Sequence, residues 1–498
     1  MQEIVLNCSL RLLPEMKPVE VSSLLNSFAL MRARWAELPS LVQTASSDAV
    51  LRAASSFKIR ELSNAFWFLG KMDACFTTLP EDLTGSLLEL LEKEAGHLTA
   101  FDLESLLVGL GLMQVPMHSL SPKLRESLLR SARRLVDELN IHGLSNVLWG
   151  LARTGVEVQD MDPILSAALL DRTVLVLHTF LPTQYGDVLW SLGSIGYRAA
   201  DMAPLTRDRI LAVISRVFGK LNVRAAAYTL WGLGKMQFSW RDMKAKTRSL
   251  AGGREAPPLA ESVSGFLRRR VSAMKEHEFA VLLYALGLLE TDWLGLQAPV
   301  REKIDHRMTR VSGFLTPRSA SNALHGLSRA KVQWQMFSKE ARKAWESALE
   351  RTLLEMSAFE LAQTLYSLGI LGLEWATIPP SLRVLIIRAA DIRIEQMTDH
   401  GISTGAYGLA LLGCEWTTLT PTIRMKLIRI FDRKKYDSSA DFLSFNFSLR
   451  ALSLFSAELD SRESDSLRSA LEKIATASKK DHADSSETLQ LLSFIKLQ

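Results

Sequence analysis

The feature that most constrains this chain is an internal repeat of 41 residues. The segment LAQTLYSLGILGLEWATIP at 361–379 recurs as LSNAFWFLGKMDACFTTLP from residue 62, LSNVLWGLARTG from 144 and AAYTLWGLGKMQFSW from 226. A fixed period of this length predicts a repeat architecture, not the several domains that 498 residues otherwise suggest. With Leu361 as offset zero, the equivalent positions are Val21, Leu62, Leu103, Leu144, Tyr185, Ala226, Phe279, Ala320, Leu361, Ile402 and Phe442.

The spacing of these positions divides the chain into three parts. Successive positions are 41 residues apart, except that the last two are 40 residues apart and 12 extra residues lie between Ala226 and Phe279. The addition coincides with the Gly/Pro-rich stretch AGGREAPPLAES, which predicts a loop insertion at 251–262. We therefore predict a repeat array over 19–455, with residues 1–18 and 456–498 as N-terminal and C-terminal caps.

Each unit carries the pattern of two helices and no strand pattern. Apolar residues at offsets 0, 4, 7 and 11, as in Leu361, Leu365, Leu368 and Gly372, predict an amphipathic helix A. Helix B follows, as in PSLRVLIIRAADIRI from residue 380. The fold class predicted is all-α, an α-solenoid of about eleven two-helix repeats. Glycine recurs at offset 8, where we expect close approach of a neighbouring helix, in Gly70, Gly111, Gly193, Gly234, Gly287 and Gly369.

Aromatic residues are locked to the repeat. Tryptophans concentrate at offsets 5 and 14, and Leu-Pro often follows offset 14, which suits a corner before helix B. The favoured interpretation places these rings in the core between units, with base stacking as the alternative. His325 takes the aromatic position at offset 5 of its unit and is interpreted as a core substitute, not a metal ligand.

Composition adds weaker constraints. The net charge of +5 permits a polyanionic partner without requiring one. Cys8, Cys75 and Cys414 are too far apart for a disulfide framework or a paired zinc motif, which favours a reducing compartment. No apolar run reaches the ~20 residues of a membrane helix, so we expect no membrane association, and the first 18 residues lack the composition of a transit peptide.

The phrase LxxxLWGLxxxG at 144–155, echoed by VLWSLGSIG at 188–196 and TLWGLGKMQ at 229–237, resembles the octotricopeptide and heptatricopeptide repeats. The resemblance covers almost the whole chain and implies a helical-repeat protein of mitochondria or chloroplasts that binds organellar RNA. Within that resemblance the unit is slightly longer than the family names imply, and no RAP-like sequence is recognisable near the C-terminus. The implied partner is ribosomal RNA or an organellar transcript, together with ribosomal or other ribonucleoprotein proteins, in the mitochondrion or alternatively a plastid.

Two positions of helix A fit RNA contacts. Offsets 2, 6 and 9 are expected to face away from the core. Short polar residues at offset 2 could meet base edges and cations at offset 9 could meet phosphate. The alternative for offset 2 is an Asn/Ser ladder between successive helices, and for offset 9 a solvated surface. The base-facing candidates are Asn64, Asn146, Asp187, Asn322 and Gln363, and the phosphate candidates are Lys71, Arg153, Lys235 and Arg329.

Helix B carries a second basic stripe, at offset 22. The exclusive use of arginine there indicates planar, bidentate geometry toward a phosphate, a carboxylate or a backbone carbonyl. A phosphate rail and a structural ladder between units both satisfy this pattern. The residues are Arg125, Arg207, Arg248, Arg301, Arg342, Arg383 and Arg424.

No catalytic motif emerges from the sequence. There is no Gly-rich phosphate loop, HExxH, GxSxG or acidic pair at metal spacing, and the histidines are scattered. We therefore predict no enzyme activity, no cofactor and no metal. The leading functional hypothesis is an organellar RNA-binding ribonucleoprotein component, such as a mitochondrial ribosome subunit or assembly factor. The alternative is a scaffold that binds proteins through its concave surface.

Overall fold

The computed structural model describes residues 9–54, 56–245, 257–430 and 439–455. Within these ranges the secondary structure is helical, without strands, and none of the helices is both long and apolar enough to cross a bilayer. The helices of the first part are α1 (Pro18–Leu30), α2 (Ser40–Ala54), α3 (Ile59–Lys71), α4 (Glu81–Glu94), α5 (Ala100–Leu112), α6 (Pro122–Leu135), α7 (Ile141–Arg153), α8 (Pro163–Val176), α9 (Gln184–Ile195), α10 (Pro204–Phe218) and α11 (Val223–Lys235). They continue as α12 (Trp240–Lys244), α13 (Leu259–Arg270), α14 (Glu276–Leu288), α15 (Ala298–Val311), α16 (Pro317–Arg329), α17 (Lys339–Thr352), α18 (Ala358–Ile370), α19 (Pro380–Arg393), α20 (Asp399–Leu411), α21 (Pro421–Arg429) and α22 (Ser439–Phe455).

The two-helix repeat of an α-solenoid is confirmed. Helix A is α1, α3, α5, α7, α9 and α11, then α14, α16, α18, α20 and α22, and each begins a few residues before an offset-zero position. The chain packs as two compact units. The first is Met1–Ala225 with Lys235–Phe238 and Lys246–Leu259, and the second is Ala226–Gly234 with Ser239–Ala245 and Ala260–Gln498.

Within each unit, A helices form one layer and B helices a second. In the first unit α3, α5, α7 and α9 pack in succession, as do α2, α4, α6 and α8. In the second unit α14, α16, α18, α20 and α22 form the A layer, beside α15, α17, α19 and α21. The core lies between the layers, where offsets 0, 4 and 7 are buried as predicted, for example Leu361, Leu365 and Leu368.

Glycine at offset 8 lies where neighbouring A helices approach most closely, as predicted. A Cβ on Gly287 of α14 would lie 2.3 Å from the carbonyl oxygen of Gly326 in α16. Gly326 is at offset 6, and its own Cβ would lie 2.1 Å from the carbonyl oxygen of Leu283. The expectation that offset 6 faces away from the core is therefore wrong. Offsets 6 and 8 lie on opposite flanks of helix A, at about 240° and 80° on the wheel, and each flank packs on one neighbour.

Offset 11 also differs from the expectation that it continues the apolar stripe. Residues there have left-handed backbone conformations and end helix A, with φ of 72° at Gly372 and 81° at Gly413. Non-glycine residues occupy the same conformation in six repeats, at Arg32, Asp73, Gln114, Gln237, Glu290 and Lys331. Helical periodicity predicts an apolar offset 11 only if helix A continues through that position. Helix A ends just before offset 11, so the prediction does not hold there.

A backbone hydrogen bond joins successive repeats at the corner. The offset-14 N–H, usually the first of a 3-10 turn, donates to the offset-10 carbonyl of the next helix A, as from Trp334 to Leu371 at 2.6 Å. That carbonyl lies in the last turn of helix A, where intrahelical donors run out. The same bond runs from Trp35 to Met72, Phe76 to Met113, Met117 to Thr154, Ala199 to Met236, Trp240 to Leu289 and Trp375 to Leu412.

Arginines near the end of helix B donate hydrogen bonds to the linker that precedes helix A of the same repeat. Arg134 donates to the carbonyl of Leu98 at 2.7 Å, and Arg351 donates to that of Leu315 at 2.6 Å. Each guanidinium satisfies a carbonyl that is outside any helix ladder. Repeat periodicity did not identify these two arginines as structural residues.

The predicted caps and insertion are only partly covered. The C-terminal cap at 456–498 and the first half of the loop at 251–262, residues 251–256, lie outside the described residues. Residues 259–262 are helical and open α13, so the last part of the predicted loop belongs to a helix. The N-terminal cap is described from residue 9, and α1 begins at Pro18.

Candidate nucleic-acid interface

Helix A presents one outward surface in every repeat. Offsets −2, 2, 5 and 9 fall within about 60° of one another on a helical wheel, opposite the buried offsets 0, 4 and 7. We call this set of four positions the A face. In α3 the A face consists of Arg60, Asn64, Trp67 and Lys71, none of which is fully buried.

The two aromatic positions of the repeat have different environments. Tryptophans at offset 14, such as Trp334, are buried corner residues, as expected. At offset 5 the rings are only half-buried, so treating both positions as core is wrong for offset 5. Those half-buried side chains are Trp67, Trp149 and Trp190 in the first unit, and Trp231, Tyr284, His325, Tyr366, Tyr407 and Phe447 in the second.

In the first unit, cations at offset 9 lie over these rings. Lys71 Nζ lies 5.2 Å from the ring centre of Trp67, and the Arg153 guanidinium lies 5.6 Å from that of Trp149. The spacing of four residues places both partners one helical turn apart on the A face. Such cation–π pairs contribute about 0.5–1 kcal/mol when exposed and leave the outer side of the cation open to a further partner.

Lys235 makes the third pair across repeats, with Nζ 5.4 Å from the ring centre of Trp190. Burial lowers the pKa of Lys235, and the nearby Arg198 lowers it further. An anion bound there would therefore relieve an unfavourable environment for positive charge.

Arg329, in the second unit, makes more contacts within the protein than the other offset-9 cations do. Its Nε donates to the carbonyl of Gly287 at 3.3 Å, and a guanidinium nitrogen lies 4.0 Å from a carboxylate oxygen of Glu290. Among the offset-9 candidates, the three cations that lie over tryptophan are the better placed for phosphate.

The A face is almost free of negative charge. Asp187 is the one carboxylate at its four positions in the described residues, whereas Arg60, Arg318 and Arg224 add cations at offset −2. Arg60 is already paired, because its Nε donates to buried Asp102 at 2.8 Å. With a single carboxylate against these arginines and the offset-9 cations, the described A-face positions have a positive, aromatic character in both units.

The offset-2 residues divide between the two interpretations offered from sequence. Gln363 Nε2 donates to Ser321 Oγ at 3.0 Å and to Asn322 Oδ1 at 3.4 Å, which is one step of a ladder between helices. Burial raises the pKa of Glu104, whereas nearby His142 and the side chain of Asn146 lower it, so Asn146 also lies close to the preceding A helix. Asn64 and Asp187 lie on the A face of α3 and α9 in the first unit.

The offset-22 arginines lie on helix B, in the other layer. Each described one is half-buried: Arg125, Arg207, Arg301, Arg342, Arg383 and Arg424; Arg248 lies outside the described residues. Arg301 donates to the carbonyl of Leu294 at 3.0 Å, and the Arg424 guanidinium lies 5.9 Å from the ring centre of Trp416. At these two positions the arginine contacts the corner of its own repeat, whereas the structural interpretation expected contacts between adjacent repeats.

The sequence contains a signal for the A face that hydrophobic periodicity missed. A cation recurs four residues after the offset-5 tryptophan in α3 and α7, and histidine or phenylalanine recurs at offset −2, as in His142, Phe101 and His400. These residues share a face only once the helix register is fixed. In the described part of the chain no three His, Cys, Asp or Glu side chains cluster in a way that would hold a metal.

Comparisons with known proteins identify no family. No family model matches this chain, and none of the curated proteins does. Solved structures with similar folds include a homology model of the full-length AP-3 complex in an intermediate open conformation, at 12% identity and a TM-score of 0.35, covering 99% of this chain and 92% of that one. Kap121p bound to Ste12p (11%, TM-score 0.28, covering 99% and 50%) and UNC-45 from Drosophila melanogaster (12%, TM-score 0.31, covering 96% and 75%) are also similar. Similarities of this size carry no inference about function.

Proposed function

We propose that this chain is a non-enzymatic RNA-binding helical-repeat protein, a mitochondrial ribonucleoprotein component that holds ribosomal RNA or an organellar transcript. A mitochondrial ribosome subunit or assembly factor fits that description. The observation that carries the proposal is the A face of the first unit, where Lys71, Arg153 and Lys235 lie over tryptophan rings. Aromatic rings for bases beside cations for phosphate are the combination that single-stranded RNA requires.

Two further features support the proposal. One carboxylate among the described A-face positions means that little on this face repels a phosphate backbone. The LWGL phrase resembles octotricopeptide and heptatricopeptide repeats, from which the mitochondrial location is taken. A scaffold for protein partners is the second candidate, and it would use the same face for a peptide.

The test is the salt dependence of RNA affinity. The variant Lys71→Gln, Arg153→Gln and Lys235→Gln removes three cations from the A face. If each meets a phosphate, the slope of log affinity against log salt should become shallower by about 2, since a contact to single-stranded nucleic acid contributes roughly 0.7. Affinity should fall for all RNA sequences alike, because phosphate contacts carry no sequence information.

The matched control is Lys93→Gln, Arg130→Gln and Lys220→Gln, which removes the same charge from exposed positions outside helix A of the first unit. Its slope should stay close to that of the unaltered protein. Equal slopes for the two triple variants would remove the A face as the RNA surface. Absence of any RNA binding by the unaltered protein would contradict the proposal and favour the scaffold.

A further inference from the structure

The second unit contains a cavity on its A face, between the N-terminal halves of α18, α20 and α22. Its volume is about 340 Å³, within the range of small-ligand pockets. Aromatic side chains make much of its wall, namely Phe359, Tyr366, His400 and Phe447. The cavity therefore offers ring faces in a region where the offset-9 cations of the first unit have no equivalents, because Ile370 and Leu411 take that position.

The rings around the cavity are arranged edge-on and tilted. The ring centres of Tyr366 and Phe447 are 5.9 Å apart in a T-shaped pair, and those of His400 and Phe447 are 6.1 Å apart. Phe359 is 73% exposed, which is high for a phenylalanine that borders a cavity. A planar ligand could stack on such a ring and bury it at little cost to the fold.

Two residues of the wall each contain a polar atom that is buried without a hydrogen-bond partner in the described structure, namely Thr404 Oγ1 and His325 Nδ1. Burial, helped by the charge of Arg329, lowers the pKa of His325 to about 4, so the ring is neutral near pH 7 and has one donor and one acceptor nitrogen. Unpaired buried groups of this kind cost free energy until a ligand satisfies them.

The charge of the surroundings suits a nucleotide. No Asp or Glu is among the described residues that line the cavity. Burial raises the pKa of Tyr366 and Tyr407 adds to the rise, whereas Arg450 and Arg329 act in the opposite direction, so both cations lie within electrostatic reach of that phenol. A phosphate attached to a bound base would meet this positive field.

From this geometry we infer that the cavity binds one unstacked nucleobase of a single-stranded RNA, stacked on Phe359 and hydrogen-bonded through its edge to Thr404 and His325. The inference rests on the proposed RNA-binding function and adds a base-specific subsite to it. A ring face, unpaired polar atoms and nearby cations match the face, edge and phosphate of a nucleotide respectively.

The test compares Phe359→Ala with Phe314→Ala, using short homopolymeric RNAs of each of the four bases. Both phenylalanines are 73% exposed, and Phe314 lies at the end of a B helix, away from the cavity. Phe359→Ala should weaken binding of at least one homopolymer about tenfold, as expected when one base loses its stacking partner, with the salt slope unchanged. Phe314→Ala should bind as the unaltered protein does, and Thr404→Val should change the ranking of the four bases.

The outcomes separate this inference from the proposed function. If the unaltered protein binds RNA and Phe359→Ala matches Phe314→Ala for all four homopolymers, the subsite is overturned while the proposed function stands. If the unaltered protein binds no RNA, both fail. Selection of apolar peptides in place of RNA, lost in Phe359→Ala, would assign the cavity to a protein side chain and also overturn the inference.

Discussion

His325 shows how one residue position can serve both the fold and a site. It occupies offset 5, where other repeats of the second unit have Trp231, Tyr284 and Tyr366, and its ring centre lies 6.1 Å from that of Tyr284. The sequence predicted a core substitute; the ring does pack against an aromatic neighbour, but the side chain is only half-buried. Half-burial leaves one nitrogen atom buried without a partner in the described structure, which sets the residue apart from a tyrosine.

We predict that His325 makes stability depend on pH. The pKa of about 4 in the folded chain lies below the unfolded value of about 6.5, so between these values the unfolded chain binds a proton that the folded chain does not. The contribution of neutral His325 to the free energy of unfolding is therefore present above about pH 6.5. It should fall by about 2 kcal/mol when the pH is lowered to 5. Urea unfolding at pH 8 and pH 5 measures this difference, and His325→Tyr should reduce it.

The control for that experiment is His97→Tyr, at an exposed histidine. It should leave the pH dependence of unfolding as it was. An unchanged pH dependence in His325→Tyr would show that other groups are responsible.

For single side chains, the sequence predicted which tryptophans are fully buried better than which are only partly exposed. Tryptophan at offset 14 was expected to be buried, and Trp334 is 4% exposed. Trp149 was treated in the same way, although offset 5 lies at the edge of the outward arc and the ring lies under Arg153. Hydrophobicity alone does not distinguish a core ring from one that is half-exposed beneath a cation.

Among the elements, the A helices pack so closely that a single methyl group decides their spacing. Gly326→Ala in α16 would place Cβ 2.1 Å from the carbonyl oxygen of Leu283 in α14, and backbone cannot yield as a flexible side chain does. We predict a loss of about 3 kcal/mol or more, with faster amide exchange in α14 and α16. Urea unfolding and hydrogen exchange measure the two effects.

Gly85→Ala in α4 provides the opposite case. No atom lies within 4 Å of the Cβ that this change would add, so it should stabilise the helix by about 1 kcal/mol. Equal stability of Gly326→Ala and the unaltered protein would mean that the helices can separate without cost.

The glycine pattern at offset 8 was enough to predict this approach, whereas offset 6 was assigned to the wrong surface. The reason is that a wheel drawn around one helix has no information on where its neighbours lie. Offset 11 failed for a related reason, since Lys331 and Gly372 adopt left-handed conformations that end the helix. Periodicity establishes that a helix exists more firmly than it fixes where the helix stops.

At the scale of the molecule, we expect the offset-9 cations to bind RNA and the offset-22 arginines to stabilise the fold. The offset-22 arginines lie on helix B, and Arg301 bonds to a carbonyl of its own corner. We predict that Arg301→Gln, Arg342→Gln and Arg383→Gln together lower the free energy of unfolding by about 2 kcal/mol and leave the salt slope of RNA binding unchanged. Urea unfolding and binding titrations at several salt concentrations measure both quantities.

A shallower salt slope without loss of stability would instead make helix B the phosphate-binding layer. Either way, the sequence identified which arginines recur and placed them on helix B, but it did not decide whether they contact a phosphate or the fold itself. The repeat period predicted the fold class, because a spacing that holds from Val21 to Ile402 with one interruption leaves few alternatives. The cavity beside Phe359 had no sequence signal of its own, since it depends on three A helices meeting.

The bond between Trp334 and Leu371 involves only main-chain atoms. Duplication or deletion of a 41-residue segment would recreate the same donor and acceptor at the new junction, whatever side chains flank it. The bond also forms with different side chains at the donor position, since tryptophan, phenylalanine, methionine and alanine all occupy it in different repeats. An array held in this way can change its number of copies during evolution while the residues that meet a partner diverge one repeat at a time.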